Sequence, residues 1–279
     1  AAGVDGRAFM EVRVPRFTHR VNYRNHRKIG VVDGVVGFTG GINIADRYRK
    51  GVEKIGPWRD THLQMEGDAV RSLQAVFAAD WYFVSRENLS GPAYFPPMTM
   101  KPGTAVQISA SGPDSDWESI GQAFFTAITG ANTEIAIVTP YLMPPPPIVN
   151  ALKTAALGGI DVKILMPEFS DALIPKWSSF SFVEELLEAG VRIYFYQKGF
   201  IHSKLVMVDG LFSSIGTANL DFRSLETNFE VTAFIYDEPF NRQLMAYFRL
   251  DLRNSREIML SEWKRRPRIS RLKESLAHL

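Results

Sequence analysis

Residues 201–224 read IHSKLVMVDGLFSSIGTANLDFRS, and residues 25–44 read NHRKIGVVDGVVGFTGGINI. Aligned from their first residues, the two stretches share seven identities at the same offsets, 176 positions apart along the chain. A repeat with so long a period indicates a duplicated domain with one motif in each half, because solenoid repeats are far shorter. The recurring polar residues are His26, Lys28, Asp33 and Asn43 in the first copy, and His202, Lys204, Asp209 and Asn219 in the second.

Composition is that of an ordinary globular protein. The chain has 279 residues, 46% hydrophobic and 22% charged, which suits one large or two medium domains. It contains no cysteine, which excludes disulfides and thiolate chemistry. No apolar run reaches the roughly 18 residues that a membrane span needs.

The positive charge is concentrated in two places. Residues 13–28 hold six Lys or Arg and no acid, and residues 261–279 hold six against two Glu, although the net charge is only +2. Such clusters on an otherwise acidic body favour an anionic partner, either a membrane surface or a nucleic acid. A solvated charged face is the alternative interpretation, and it weighs most for the C-terminal cluster.

Strand and helix patterns alternate through the second half of the chain, which predicts an α/β fold built from βαβ units. We expect two similar domains, each a mixed, mainly parallel sheet flanked by helices, with the active site between them. The proline-rich and glycine-rich segment 88–103 is typical of a connector. The expected domains are therefore 1–87 and 104–279. Because only 25 residues precede His26, we expect the N-terminal part of the first domain to be missing.

The spacing within each motif points to phosphate chemistry. In an extended chain residues i and i+2 face the same way, so each His projects beside its Lys. An imidazole next to an ammonium group suits an oxyanion better than a metal ion, and Asn43 and Asn219 can add amide donors. Of two histidines around one phosphodiester, one can attack phosphorus while the other transfers protons. We expect no metal and no cofactor.

A histidine in such a role usually needs a carboxylate that fixes its tautomer. Glu230 lies 28 residues beyond His202, and Asp60 lies at the comparable place in the first half. We predict both as orienting groups, with surface carboxylates at strand starts as the alternative. Asp33 and Asp209 belong to the candidate catalytic motif, but each occupies an Asp-Gly hairpin turn, so we expect them to anchor structure.

These motifs resemble the paired His-x-Lys-x₄-Asp signature of the phospholipase D superfamily. Together with FTGGINIADRY, WRDTHLQMEGDAV, TPYLMP, GTANLDFRSLETNFEV and SEWKRRP, they more narrowly resemble the bacterial cardiolipin synthase family over essentially the whole chain. The resemblance implies two α/β domains sharing one active site. It also implies transfer between two phosphatidylglycerol molecules, giving cardiolipin and glycerol through a covalent phosphatidyl-histidine.

By the same analogy His26 is the nucleophile and His202 the general acid and base, although the residues alone allow the swapped roles. The resemblance also implies an anionic phospholipid substrate and a bacterial inner-membrane location. The transmembrane segments usual at the N-terminus of the family are not found in this chain. A phospholipase D-type hydrolase, a nucleic-acid phosphodiesterase and a lipid-binding scaffold are the alternatives. We expect no nucleic-acid partner, because the aromatic residues follow core patterns rather than the basic clusters.

Overall fold

Strands and helices alternate through the second half of the protein in a computed structural model, which describes residues 3–10, 23–97 and 103–278. The strands are β1 (Ile29–Val32), β2 (Val36–Gly40), β3 (Trp58–Arg59), β4 (His62–Glu66), β5 (Ala105–Ser111), β6 (Glu134–Val138), β7 (Leu142–Met143), β8 (Asp161–Pro167), β9 (Arg192–Tyr196), β10 (Phe200–Ile201), β11 (Leu205–Val208), β12 (Phe212–Gly216), β13 (Leu220–Asp221), β14 (Glu230–Tyr236) and β15 (Ser255–Ile258). The helices are α1 (Arg47–Lys50), α2 (Asp68–Ser85), α3 (Ser119–Thr129), α4 (Pro146–Leu157), α5 (Leu173–Ser181), α6 (Val183–Glu188), α7 (Glu238–Arg253), α8 (Leu260–Lys264) and α9 (Arg268–His278), and a π-helical turn spans Arg223–Thr227.

One eight-stranded mixed sheet forms the second half, in the order β15-β9-β8-β6-β11-β12-β14-β5. The α/β class with helices flanking a mixed sheet is confirmed. Parallel pairing occurs at β6–β8 and β8–β9, where helices provide the crossovers. The other neighbours are antiparallel, because the motif itself folds into the hairpin β11–β12 and β14 returns beside it. Two of the seven strand pairings in this sheet are parallel, so mainly parallel pairing holds for β6-β8-β9 but is wrong for the sheet as a whole.

The central strands are buried on both faces. In β6, Ile135 and Ile137 belong to the core cluster that includes residues of α3 and α4, whereas Ala136 and Val138 belong to the opposite cluster, which includes residues of α7. This alternation follows from the two-residue period of a strand. It explains why the strand sequence is a continuous apolar run.

The first half repeats the motif hairpin on a smaller scale. Strands β1, β2 and β4 form a three-stranded antiparallel sheet, and Val70 and Leu73 of α2 cluster with Val231 and Ala233 of β14. The predicted linker contains no helix or strand over residues 88–97, and residues 98–102 lie outside the described residues. Residues 13–22 of the first basic cluster also lie outside them. In the described part of the chain, no helix has the length and apolar character needed to cross a membrane.

The motif aspartates occupy the hairpin turns with left-handed backbones, at φ +53° for Asp33 and +51° for Asp209. The Asp209 carboxylate accepts hydrogen bonds from the backbone N–H groups of Asn132, Thr133 and Glu134 over 2.7–3.0 Å. Burial alone would raise the pKa of Asp209, but these hydrogen bonds outweigh it and lower the pKa to about 2. Asp209 therefore ties the motif hairpin to the start of β6.

We expect the Asp209→Asn variant to lose about 1–2 kcal/mol of unfolding free energy, because charge-assisted hydrogen bonds to three backbone groups are weakened. Asparagine tolerates the left-handed turn, so backbone strain does not add to the effect. The matched control is Asp33→Asn at the exposed equivalent turn, for which we expect a change within about 0.5 kcal/mol. Urea denaturation of both variants measures the difference, and equal losses would contradict the anchoring role.

Candidate active site

Two short parallel pairings join the halves of the chain. β10 pairs with β3, and the backbone N–H of His202 donates to the carbonyl of Arg59 over 2.7 Å. Asn25 bridges Phe229 in the same parallel sense, and the N–H of His26 donates to the carbonyl of Phe229 over 2.9 Å. Each accepting carbonyl directly precedes one of the predicted carboxylates in sequence. Each histidine is therefore placed beside the carboxylate of the other half.

The side chains complete this crossed arrangement. His26 Nδ1 lies 2.9 Å from both carboxylate oxygens of Glu230, and His202 Nδ1 lies 2.8 Å from Oδ2 of Asp60. The side chains of Glu230 and Asp60 are 0% and 1% exposed. Neither is the surface carboxylate of the alternative interpretation. In each pair the imidazole can donate its Nδ1 proton to the carboxylate, which leaves Nε2 for chemistry.

In each motif, the residue after the shared glycine (Gly216 or Gly40) helps to accommodate one of the two carboxylates. The Thr217 hydroxyl donates to Glu230, and its hydrogen bond joins His26 in lowering the pKa of Glu230, although burial works in the opposite direction. In the first half the matching position is Gly41. A Cβ there would lie 2.1 Å from Oδ1 of Asp60, so only glycine leaves room for this carboxylate.

The two lysines project beside their histidines, as the i, i+2 spacing predicts. Lys28 Nζ donates to the carbonyl of His26 over 2.7 Å. Lys204 Nζ donates to the carbonyl of His202 over 2.5 Å and lies 3.0 and 3.1 Å from the two ring nitrogens. Burial lowers the pKa of Lys28 to about 8 and that of Lys204 to about 7, against the opposing pull of the two carboxylates. An arriving phosphate would reverse this shift and favour both ammonium forms.

The two histidines influence each other electrostatically but differ in how far they are exposed to solvent. The side chain of His26 is 29% exposed and that of His202 is 8% exposed. Burial lowers the pKa of His202 to about 4, with further lowering by Lys204 and His26 and an opposing effect of Asp60. Similarly, the charge of Lys28 contributes to the lowered pKa of Lys204. The two motifs thus face a common site.

The two asparagines make hydrogen bonds within their own halves. Asn43 Nδ2 donates to the hydroxyl of Tyr48 over 3.0 Å, and Asn219 Nδ2 donates to Oδ2 of Asp221 over 3.1 Å. The Asn219 Oδ1 atom is buried without a hydrogen-bond partner among the described residues. The Asp221 carboxylate accepts only, so it holds the Asn219 amide with its NH₂ group toward Asp221. Phosphate binding by Asn43 and Asn219 stays a prediction.

Tyr48 is a site residue to which sequence reasoning gave no role. Its hydroxyl lies 2.9 Å from His202 Nδ1, and burial raises the pKa of Tyr48 to about 12, which keeps it protonated. Trp58 flanks the same imidazole, with the ring centroids 5.3 Å apart. The aligned position in the second copy is Ser224, so comparison of the repeats could not reveal Tyr48. Its signal in the sequence was its place at the end of FTGGINIADRY, one of the segments that carry the family resemblance.

The motif aspartates are not brought to the histidines. Asp209 binds the backbone at the start of β6, and Asp33 is exposed at its turn. Within the described residues, neither carboxylate forms a hydrogen bond or ion pair with the motif His or Lys side chains. The site therefore consists of two His–carboxylate pairs and two lysines. Such a set can attack a phosphodiester, protonate its leaving group and neutralise its oxygens.

Sequence and structure comparisons identify relatives of this chain. A family model described as "Cardiolipin synthase, PLD-like domain" matches residues 124–252. The cardiolipin synthase of Geobacillus thermodenitrificans is 47% identical over 100% of this chain and 56% of its own length. The major cardiolipin synthase ClsA of Bacillus subtilis is 40% identical over 100% of this chain and 58% of its own. The chain thus spans little more than half the length of these curated relatives.

A solved structure extends the comparison to the fold. The crystal structure of a phosphatidylserine synthase from Haemophilus influenzae matches with a TM-score of 0.67 and 16% identity, and the match covers 93% of this chain and 70% of that one. At this identity the likeness concerns the fold alone. It includes both halves of the chain, in agreement with the arrangement described above.

Because its pKa is about 4 in the folded protein and about 6.5 when unfolded, His202 adds stability that is present above pH 6.5 and lost as pH falls toward 4. As the pH falls, His202 binds its proton at a higher pH in the unfolded chain than in the folded protein. We expect this loss to be about 2–3 kcal/mol, and to be absent in His202→Gln. Urea denaturation between pH 7 and 4.5 checks it. Parallel pH profiles for the variant and the unsubstituted protein would contradict the lowered pKa.

Proposed function

Because the chain belongs to the phospholipase D superfamily and is cardiolipin synthase-like, we propose that it transfers a phosphatidyl group between two phosphatidylglycerol molecules. The products are cardiolipin and glycerol. The single observation that carries this proposal is the crossed pairing of His26 with Glu230 and of His202 with Asp60. It supplies two oriented imidazoles at one site, as a two-step transfer needs.

In the first step, Nε2 of His26 attacks the phosphorus of one phosphatidylglycerol. Glu230 accepts the Nδ1 proton in a hydrogen bond and stabilises the positive charge that develops on the ring. The N–P bond forms as the bond from phosphorus to the glycerol oxygen breaks. Protonated His202 gives its Nε2 proton to that oxygen, and glycerol leaves.

In the second step, neutral His202 takes the proton from a hydroxyl of the second phosphatidylglycerol. The resulting oxygen attacks phosphorus, the N–P bond breaks, and the electron pair returns to Nε2 of His26. The proton on His202 is thereby restored, so each cycle begins from the same state. The lowered pKa of His202 keeps its imidazole in the neutral form that this proton-accepting step requires.

The proton-donating step needs a protonated His202, and the negative charge of the bound substrate favours this protonated form. A phosphodiester anion placed between the motifs favours the protonated forms of nearby bases. Lys204 Nζ, 3.1 Å from Nε2 of His202, is an adjacent proton source with a pKa of about 7. Lys28 and Lys204 then neutralise the non-bridging oxygens in both transition states.

This function requires the domain organisation and setting predicted from sequence. We propose phospholipase D-like domains at 1–87, in part, and at 104–279, with 88–103 between them. The partner is an anionic phospholipid at a bacterial inner-membrane surface. The Geobacillus and Bacillus relatives named as cardiolipin synthases support this setting.

We expect the chain, incubated with vesicles of phosphatidylglycerol and a metal chelator, to produce cardiolipin and glycerol in equal amounts. His26→Ala should lower the rate by at least about 10³-fold, since it removes the nucleophile. A quench after brief incubation with labelled lipid should yield label on His26, identified by peptide mass spectrometry. Phosphatidic acid as the main product would indicate a hydrolase, and DNA cleavage without lipid turnover would indicate a nuclease.

A substrate with an activated leaving group separates the roles of the two histidines. A phosphatidyl ester of p-nitrophenol needs no protonation of its leaving group, so the first-turnover burst of p-nitrophenol from His202→Gln should approach that of the unsubstituted protein. Release after the burst should stay slow, because His202 also deprotonates the acceptor in the second step. With phosphatidylglycerol the same variant should lose about 10²–10⁴-fold. His26→Gln should be inactive on both substrates. If the activated substrate restored p-nitrophenol release by His26→Gln instead, His202 would be the nucleophile and His26 the general acid and base.

The crossed pairing also predicts how substitutions of the two carboxylates affect the reaction. Asp60→Asn should behave as a weaker His202→Gln, and Glu230→Gln as a weaker His26→Gln, because each carboxylate acts through the histidine of the other half. The same pair of substrates measures this. If each carboxylate variant instead followed the histidine of its own half, the crossed mechanism would be wrong.

A further inference from the structure

The C-terminal helix α9 turns its apolar residues away from the protein. Ile269, Leu272 and Leu276 are 57%, 55% and 65% exposed, whereas Glu274 on the opposite side is only 6% exposed. The three apolar residues follow an i, i+3, i+7 spacing and so lie on one face of the helix. An amphipathic helix normally buries such a face against the core. Here it buries a glutamate instead.

Specific polar contacts fix this orientation. Arg266 donates to Glu274 over 2.7 Å, and its guanidinium carbon lies 3.3 Å from the ring centroid of Trp263. Lys273 Nζ lies 5.3 Å from the ring centroid of Trp177, which is in α5. The helix is therefore docked on the protein through charged and aromatic partners. Its apolar face is left outward.

Helix α5 packs beside α9 and also exposes apolar side chains. Leu173 and Ile174, in the first turn of α5, are 65% and 68% exposed. We define the α5–α9 surface as these two residues together with Ile269, Leu272 and Leu276.

Positive charge borders the α9 part of this surface. The exposed cations of α9 and the turn before it are Arg265, Arg268, Arg271 and Lys273, and the acidic side chain of α9, Glu274, is turned inward. An outward apolar face bordered by Lys and Arg is typical of helices that lie in the interface of an anionic bilayer. The charge favours a negatively charged lipid surface over a neutral one.

Helix α5 is linked through two short strands to Asn219 of the second motif. The backbone N–H of Leu142 in β7 donates to the Ser179 hydroxyl of α5 over 3.0 Å, and β7 pairs with β13, which directly follows Asn219. Just before α5, Asp171 accepts a hydrogen bond from Tyr141 over 2.7 Å.

We propose that the α5–α9 surface docks on an anionic phospholipid bilayer, with Leu272 and Leu276 entering the boundary between headgroups and acyl chains. This inference deepens the proposed function and rests on it in one respect, since a lipid substrate brings the protein to a membrane. To the proposed function it adds the identity of the residues that contact the bilayer. The competing occupants are a second copy of the chain and another protein.

The absence of cysteine allows a single fluorescent label to be placed by Leu272→Cys. We expect an environment-sensitive dye there to brighten and shift to the blue with equimolar phosphatidylglycerol–phosphatidylcholine vesicles, and less with phosphatidylcholine alone or at high salt. The matched control is Leu157→Cys, at the exposed end of α4, which should not respond. An unresponsive Leu272 label, or one that shifts without lipid as protein concentration rises, would overturn the proposal.

A second measurement uses unlabelled protein. Leu272→Ser combined with Leu276→Ser should weaken partition onto phosphatidylglycerol vesicles at least about tenfold, since two apolar side chains no longer leave water. Leu157→Ser should bind as the unsubstituted chain does. Both variants change exposed residues and should unfold at the same temperature as that chain. Undiminished vesicle binding by the double variant would overturn the proposal.

Turnover assays distinguish failure of this proposal from failure of the proposed function. The Leu272/Leu276 double variant should process monomeric short-chain phosphatidylglycerol within about twofold of the unsubstituted chain, and vesicle phosphatidylglycerol at least about fivefold more slowly. Equal rates on vesicles would overturn the docking surface alone. His26→Ala should bind vesicles normally. If no form of the chain turns over lipid while the Leu272 label still responds, the proposed function fails and the surface stands.

Discussion

Everything in the candidate site depends on the exchange of carboxylates between the two halves. Glu230 and Asp60 are almost completely buried, and each carboxylate is paired with a histidine from the other half. A charge that stays buried without its partner costs about 3–5 kcal/mol, so removing either histidine would leave its carboxylate uncompensated. The contacts that orient the two imidazoles therefore also link the two halves.

Duplication has produced two motifs with unequal surroundings. The first copy has a three-stranded sheet, and the second lies in an eight-stranded one. Tyr48 contacts His202, but its counterpart Ser224 is buried elsewhere, and Gly41 makes room for Asp60 where Thr217 donates to Glu230. His26 is also more exposed than His202. These differences suit a reaction in which one imidazole forms a bond to phosphorus and the other moves protons.

The candidate site lies between the two halves, whereas the proposed membrane contact lies in the second half, and helix α5 contacts both regions. Helix α5 contributes Ser179 to the β7 backbone near Asn219, and its first turn contributes Leu173 and Ile174 to the outward apolar surface. The catalytic groups are buried and charged, whereas the docking residues are exposed and apolar. A water-insoluble substrate needs both, because the reacting phosphate must be enclosed while its acyl chains remain in lipid.

The sequence by itself determined the α/β class and the repeated motif, and it predicted most residues of the candidate site, because equal offsets from His26 and His202 and the strand periodicity are local properties. It also identified Glu230 and Asp60, although not which histidine each serves. Only the tertiary structure decided the crossed pairing, the role of Tyr48 and the outward face of α9. The physical reason is that these depend on contacts between residues far apart in sequence, and on burial, which local periodicity does not encode.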